Sequence, residues 1–267
     1  MRQKRILITG SRGYLGSYLF NFLKNQTSYL IYEFEGDILS ENLEIPEVDV
    51  VIHLAAKLNT FKGDDSILMD TNFLGTQRLL EKCNSNVHFI FSSTDYVFKS
   101  SFDKQYGEDD TKEPETLYGQ SKSLAEDFLV SKHKKLTILR ISMLYGYVHP
   151  HRKNFFDYVM ESLSSNTELN LFTDVISRPT FVNDVCLSIC KTIENQIFGL
   201  FHISGPDYLS RFEIGKTICE MQKKDSSLII PCEKDKAINI PQSLNLRPSK
   251  RFRKQLDTKL RVGLNSY

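Results

Sequence analysis

Net charge is what this chain lacks first: 34 Lys and Arg stand against 33 Asp and Glu in 267 residues, a formal balance of +1. That removes the basic footprint of a protein that grips nucleic acid. Long apolar runs are missing too. Val50–Val51–Ile52 is about as dense as the sequence becomes, far short of the roughly 20 residues of a membrane-spanning helix. Met1–Gly10 runs from basic to apolar, but Arg5–Thr9 is too short for a signal-peptide core. These absences predict a cytoplasmic protein with neither a nucleic-acid nor a membrane partner.

Paired cysteines are also absent. The five (Cys83, Cys186, Cys190, Cys219 and Cys232) are odd in number and contain no Cys-x-x-Cys. Cys186 and Cys190, four apart in an apolar stretch, fall on one helix face and read as core packing rather than metal ligands. The histidines at 53, 88, 133, 149, 151 and 202 show no metal-ligand spacing, so no metal is expected; His149 and His151 are assigned to a solvated loop. With 40% hydrophobic and 25% charged residues the composition is ordinary for a globular protein, which argues against disorder.

What is present is a rhythm. Strand patterns at Arg5–Thr9, Tyr29–Phe34, Asp49–Leu54, His88–Phe91 and Leu136–Arg140 alternate with helical patterns at Tyr14–Leu23, Ile67–Leu80 and Tyr118–Val130. Each crossover must pack its helix onto the sheet, and parallel crossovers are right-handed. The fold class is therefore α/β, a Rossmann-type doubly wound parallel sheet with a smaller C-terminal substrate-binding lobe. After Arg140 the rhythm breaks. Residues 1–145 are assigned to the dinucleotide-binding domain, and 146–267 mainly to the lobe, with part returning to the sheet.

Three motifs carry chemistry. Gly10–Ser11–Arg12–Gly13–Tyr14–Leu15–Gly16 follows the first strand and opens the first helix. Glycines three apart permit a sharp turn, and the helix N-terminus offers free N–H groups to a pyrophosphate. A packing turn without a ligand is the alternative. Tyr118 and Lys122, four apart, share a helix face, where an ammonium can stabilise a phenolate; an ordinary solvated face is the alternative. Phe91–Ser92–Ser93–Thr94 brings hydroxyls to a strand end, where an open α/β sheet forms its ligand crevice, or where they simply cap a turn.

In content and order these motifs resemble the extended short-chain dehydrogenase/reductase family. His53–Leu54–Ala55–Ala56 is similar to that family's fourth-strand end, and Gly36–Asp37–Ile38 to its adenine-holding segment. Asn72 matches a structural and proton-relay asparagine, and Leu139–Arg140–Ile141–Ser142 the strand beside the nicotinamide. Within the family, Ser93–Thr94–Asp95–Tyr96–Val97–Phe98, Leu117–Tyr118–Gly119–Gln120–Ser121–Lys122, Asn154–Phe155, Arg178–Pro179–Thr180 and Arg247–Pro248 most resemble dTDP-4-dehydrorhamnose reductases.

The resemblance implies NAD(P)H-dependent reduction of the C4 ketone of a nucleoside-diphosphate 6-deoxy-4-keto sugar. It implies catalytic roles for Thr94, Tyr118 and Lys122. Cofactor contacts are implied for Gly10, Ser11, Arg12, Gly13, Tyr14, Leu15, Gly16, Asp37, Ile38, Leu54, Ala55, Ala56, Asn72, Ser92, Ser93, Tyr118, Lys122 and Ile141. Substrate contacts are implied for Thr94, Asp95 and Tyr96; Asn154 and Arg178 are read as contacts to the substrate's diphosphate or sugar, with a purely structural role for both as the alternative, and Lys122 is expected to lower the pKa of the Tyr118 phenol.

Departures from the family narrow this. Tyr96 stands where related 4,6-dehydratases carry a catalytic glutamate, and no cysteine lies near Thr94 for epimerisation. Met143 replaces the tryptophan usual in rhamnose-forming reductases, so a different deoxy-sugar is admitted. Ser17–Tyr18 replaces an acidic, metal-bridged dimer contact; that dimer is not carried over, although a homodimer stays open. For the cofactor, Arg12 favours the 2′-phosphate of NADP(H), while Glu33 or Glu35 favours the ribose hydroxyl of NAD(H). The reading leans to NADP(H), with an Arg12–Glu35 ion pair as the bland alternative. Two other functions remain open: a non-catalytic dinucleotide-binding subunit like the regulatory subunit of methionine adenosyltransferase, and a sugar-nucleotide 4-epimerase.

Overall fold

The structure, a computed structural model, describes residues 2–58, 66–256, 260, 263 and 264. Short β-branched runs form a parallel sheet of six strands: β1 (Arg5–Thr9), β2 (Leu30–Glu33), β3 (Val50–His53), β4 (His88–Thr94), β5 (Leu136–Ile141) and β6 (Gly199–Ile203). Their spatial order is β2-β1-β3-β4-β5-β6. The chain therefore winds outward in one direction from β1 and in the other from β3. In such a sheet the ligand crevice opens beyond the carboxyl ends of the strands at that switch point. The register aligns those ends: Thr9 pairs with His53, and Thr94 with Ile141.

Alternation along β1 sorts the core into two layers. Ile6 and Ile8 face α1 (Tyr14–Gln26) and α6 (Val182–Asn195) through Leu19, Leu23, Val185 and Ile189. Leu7 faces α3 (Gly75–Glu81) and α4 (Leu117–Lys132) through Leu79, Ala125 and Leu129. Burial on both faces explains why these strands read as continuous apolar runs rather than alternating ones. Cys186 and Cys190 lie in the first layer, their thiols pushed up by burial, Cys190 to about 12. The lobe packs α5 (Phe155–Ser164) and α7 (Arg211–Met221) around Val159, Leu169, Ile214 and Ile218. Between these two helices in the chain, α6 and β6 extend the main sheet and its cover, and α8 (Lys250–Leu256) packs on α6. Among the described residues no helix is long and apolar enough to cross a membrane.

Two local expectations need correction. The helical pattern at Ile67–Leu80 is not one helix: α2 (Ser66–Met69) passes through a π-helical turn, Asp70–Leu74, before α3. Such wide turns cluster at functional sites, and this one carries Asn72. His149 is buried rather than solvated. Its neighbour Tyr147 packs its ring on Tyr14 and Tyr18 of α1, at 5.6 and 5.1 Å, and draws the loop inward. His149 stands edge-on to Tyr147 at 5.9 Å, while His151 is exposed.

A buried ion pair ties α4 to the sheet. Arg140 of β5 donates to both carboxylate oxygens of Glu126, at 2.9 and 2.7 Å, and Ser93 donates to the same carboxylate at 2.5 Å. Lys112 lies 3.4 Å from it. Replacing Arg140 by Met removes the bidentate partner of a buried carboxylate. The expected loss is about 3–5 kcal/mol in urea unfolding; a loss below about 1 kcal/mol would mean that Lys112 alone holds Glu126.

Candidate active site

A cleft of about 970 Å³ opens where the sheet order reverses, between the strand ends and the lobe. Its floor begins at the turn after β1. Gly10 has φ +72°, and a Cβ there would sit 2.6 Å from the Ala55 backbone nitrogen, so only glycine lets β1 and β3 end side by side. Gly13 caps α1 without any side-chain hydrogen bond, and the first turn carries no acidic residue. The helix therefore presents N–H groups and the positive end of its dipole to the cleft, the arrangement that suits a pyrophosphate.

A chain of hydrogen bonds runs beneath this turn, and its directions can be assigned. Thr76 donates its hydroxyl proton to the Asn72 carbonyl at 2.7 Å, so it accepts from His53 Nε2 at 2.9 Å. His53 Nδ1 then accepts from Thr9 at 2.6 Å, and Thr9 accepts from the Ala55 N–H at 3.3 Å. His53 is thereby the neutral Nε2–H tautomer. Burial first, and the nearby Lys122 second, push its pKa down to about 3. The Asn72 amide donates to the Lys57 carbonyl and to Ser121 Oγ, each at 2.9 Å, and accepts from the Lys57 N–H at 2.7 Å. Ser121 in turn donates to the Tyr118 carbonyl at 2.7 Å.

The residues anticipated as catalytic gather at the end of β4 and the start of α4. Thr116 caps α4, and a Cβ on Gly119 would fall on the Tyr96 carbonyl oxygen, so the helix abuts the turn after β4. The Tyr118 and Tyr96 rings meet edge-on at 5.8 Å. Burial, then Tyr96 and Asp95, raise the Tyr118 phenol pKa, while a hydrogen bond with Thr94 pulls the other way. Lys122, expected to lower it, is absent from these influences. Its Nζ lies 4.1 Å from the centre of the Phe91 ring, and burial brings its own pKa down to about 7, against the opposing charge of Glu126. Asp95 accepts from Ser142 at 2.6 Å and from Thr94 at 3.1 Å; burial raises it to about 6.

Most of the anticipated residues converge here. Gly10, Gly13, Tyr14, Leu15, Gly16, Leu54, Ala56, Ser92, Ser93, Thr94, Asp95, Tyr96, Tyr118, Ile141 and Asn154 all line the cleft. Ala55, Asn72 and Lys122 lie behind that lining as the support just described, and Ser11 is buried in the turn. Asp37 is exposed and caps the Leu39 N–H at 2.9 Å, while Ile38 is buried against Gly75. Arg12 is exposed and pairs with Glu35 at 2.7 Å. Asn154 reaches the cleft as the N-cap of α5, its side chain engaged in a capping box with Asp157.

Arg178 is not brought to the cleft. Its guanidinium is consumed by Asn245 Oδ1 at 2.8 Å and by the Gly205 and Pro206 carbonyls, which makes it a brace inside the lobe. The cleft also contains Arg211, Arg152 and Lys153, which the motifs did not single out. The only available signal for Arg211 was its place after Ser210 with Glu213 following, a capping-box pattern that marks a helix start.

The His53 network yields a prediction. Its folded-state pKa of about 3 lies below that of an unfolded histidine, so its stabilisation is complete above about pH 6.5 and is lost as pH falls toward 3. At pH 5 the loss from this residue is about 2 kcal/mol. Urea unfolding between pH 7 and pH 4.5 should show a shallower slope in His53→Gln than in wild type, and equal slopes would refute the assignment.

The chain is similar to several known proteins. A dTDP-4-dehydrorhamnose reductase of Aggregatibacter actinomycetemcomitans is 28% identical over 231 residues, covering 80% of this chain and 78% of that protein. Methionine adenosyltransferase 2 subunit beta of Danio rerio is 24% identical over 251 residues, covering 85% and 77%. The crystal structure of a Bacillus anthracis dTDP-4-dehydrorhamnose reductase in complex with NADP superposes with a TM-score of 0.87 at 24% identity, covering 99% of this chain and 97% of the other. Residues 4–252 match the family described as the RmlD substrate binding domain, and the chain belongs to it.

Proposed function

We propose that this member of the RmlD substrate binding domain family is an NAD(P)H-dependent reductase, acting on the C4 ketone of a nucleoside-diphosphate 6-deoxy-4-keto sugar. A bound nicotinamide supplies the hydride. The residues at hand suit such a cofactor: the Gly10 turn and the uncapped start of α1 fit its pyrophosphate. Leu54, Ala56, Ser92 and Ile141 line the cleft between that turn and Tyr118.

The observation that carries the reading is the place of Tyr118: it lines the cleft beside the Thr94 hydroxyl, and as a phenol it carries its proton at neutral pH. A reductase needs an acid that holds its proton until an alkoxide forms, and an alkoxide is basic enough to take it. Thr94, whose hydroxyl donates to Asp95 in the structure, turns that proton to the carbonyl oxygen, orienting it and stabilising the developing charge. Lys122 is held close to its titration point, at about 7, and serves the nicotinamide ribose hydroxyls as a donor. Asp95 and Tyr96 bound the sugar on the side of the lobe.

The regulatory-subunit reading draws on the adenosyltransferase subunits among the relatives. An acid, a hydroxyl and a buried lysine arranged in this way would be superfluous in it.

The cofactor is read as NADP(H). Arg12 and Glu35 form an exposed pair, and such pairs contribute about 0–1 kcal/mol. A 2′-phosphate can therefore recruit Arg12 cheaply. Glu35→Gln should raise the preference for NADPH over NADH, and Arg12→Ala should lower it by about tenfold. Nicotinamide fluorescence titrations with each cofactor check both.

For the reaction, NADPH-loaded protein is given a 4-keto-6-deoxy sugar nucleotide and oxidation is followed by absorbance. Wild type should oxidise the cofactor. Tyr118→Phe should bind NADPH unchanged and lose about 10²–10⁴-fold in turnover. Binding without oxidation across a panel of keto-sugar nucleotides would favour the regulatory-subunit reading.

A further inference from the structure

Arg211 is, among the described residues, a cation without a counter-ion in the wall of the cleft. It is the first residue of α7, and the acid of that helix turn is already committed: Glu213 accepts from the Ser210 N–H and hydroxyl at 2.7 and 2.8 Å. The Arg211 backbone N–H goes to the Val175 carbonyl at 3.0 Å. Its guanidinium lies 4.6 Å over the Phe155 ring, and Nη1 points at the sulfur of Met143. A thioether is a weak acceptor, and a guanidinium offers five donors in a planar fork. Among the described residues no carboxylate lies within ion-pair distance of it.

Asp95 is the acid whose charge reaches Arg211, yet its two oxygens are taken by Ser142 and Thr94. The remaining charge on that wall has the same sign. Arg152 and Lys153 line the cleft from the loop before α5, and of these only Lys153 is paired, with Glu161 at 2.6 Å. Asp95 is the one acidic side chain in the lining among the described residues. A desolvated guanidinium held rigid on an aromatic face, with its fork unfilled, is arranged to receive a planar or tetrahedral oxyanion.

We propose that Arg211 is the cleft's anion receptor, and that the oxyanion it takes is the diphosphate of a nucleoside-diphosphate ligand. The substrate class rests on the reductase reading above; the anion site does not. Phe155 and Met143 act as the platform that fixes the fork, and Arg152 adds unpaired charge that steers the ligand inward.

Calorimetric titration of the full-length, NADPH-saturated protein with UDP, dTDP and the matching monophosphates tests this. Wild type should bind a diphosphate more tightly than its monophosphate. Arg211→Met, close in shape and neutral, should weaken diphosphate binding by about tenfold or more and abolish the preference over the monophosphate. Arg211→Lys, which keeps the charge and loses the fork, should fall between. NADPH affinity and melting temperature report that each variant is folded, and Arg211→Lys carries the test should the methionine variant unfold.

An unchanged diphosphate-to-monophosphate ratio in a folded variant overturns the proposal, as does a wild type that binds neither diphosphate. A third arm compares UDP-glucuronate with UDP-glucose. If Arg211→Met erases a preference for the glucuronate while leaving UDP affinity intact, the anion is on the sugar and the diphosphate assignment falls. Arg211-dependent diphosphate binding by a protein that reduces no keto sugar would uphold this site and remove the reductase reading instead.

Discussion

Burying the charged face of α4 against the sheet is the constraint on which the rest of the site depends. Tyr118, Lys122 and Glu126 follow one another at intervals of four, so they stack along one stripe of the helix. Lys122 and Glu126 are almost fully buried there. Buried charges persist only when paired and hydrogen-bonded. The sheet answers with Arg140 and Ser93 for the carboxylate and with the face of Phe91 for the ammonium. Helix and strands are thus locked in register by charge, and that register carries Tyr118 to the Thr94 end of β4.

The second constraint is neutrality beside Lys122. A cation at His53 would face that lysine across a dry interior, so burial and like charge together hold the imidazole neutral. A neutral imidazole has one donor and one acceptor, and both are used in a fixed sense from Thr9 to Thr76. The Thr76 proton is then committed to the Asn72 carbonyl, inside the π-helical turn. The wide turn frees the Asn72 side chain to satisfy both backbone groups of Lys57 and to reach Ser121. One polar thread thereby joins the floor of the Gly10 turn to the Tyr118 backbone.

How far the molecule was legible in its sequence follows from how local each signal is. The glycine turn, the hydroxyl strand end and the Tyr118–Lys122 spacing are short-range patterns, and the structure brings all three to one cleft. The π-helical turn was invisible because its cause is tertiary: an asparagine reaching back to Lys57, fifteen positions earlier. Arg178 misled because an arginine beside a proline carries no mark of its partners, and those partners, Gly205, Pro206 and Asn245, come from distant segments. His149 misled for the same reason, since the rings of Tyr14 and Tyr18 pull its loop inward. The expected lowering of the phenol by Lys122 fails because burial, Tyr96 and Asp95 outweigh it and raise the phenol instead.

That last failure bears on the chemistry. Burial, Tyr96 and Asp95 raise the Tyr118 phenol, so its proton affinity is governed by the turn after β4 rather than by a neighbouring ammonium. The residues doing the raising, Asp95 and Tyr96, sit one and two positions beyond Thr94 and also line the cleft on its lobe side. The environment of the Tyr118 phenol and the shape of the cleft are therefore set by the same short turn. A substitution at Tyr96 acts on the Tyr118 phenol and on the cleft lining at once, so the two properties are coupled through one stretch of backbone and cannot be varied there independently.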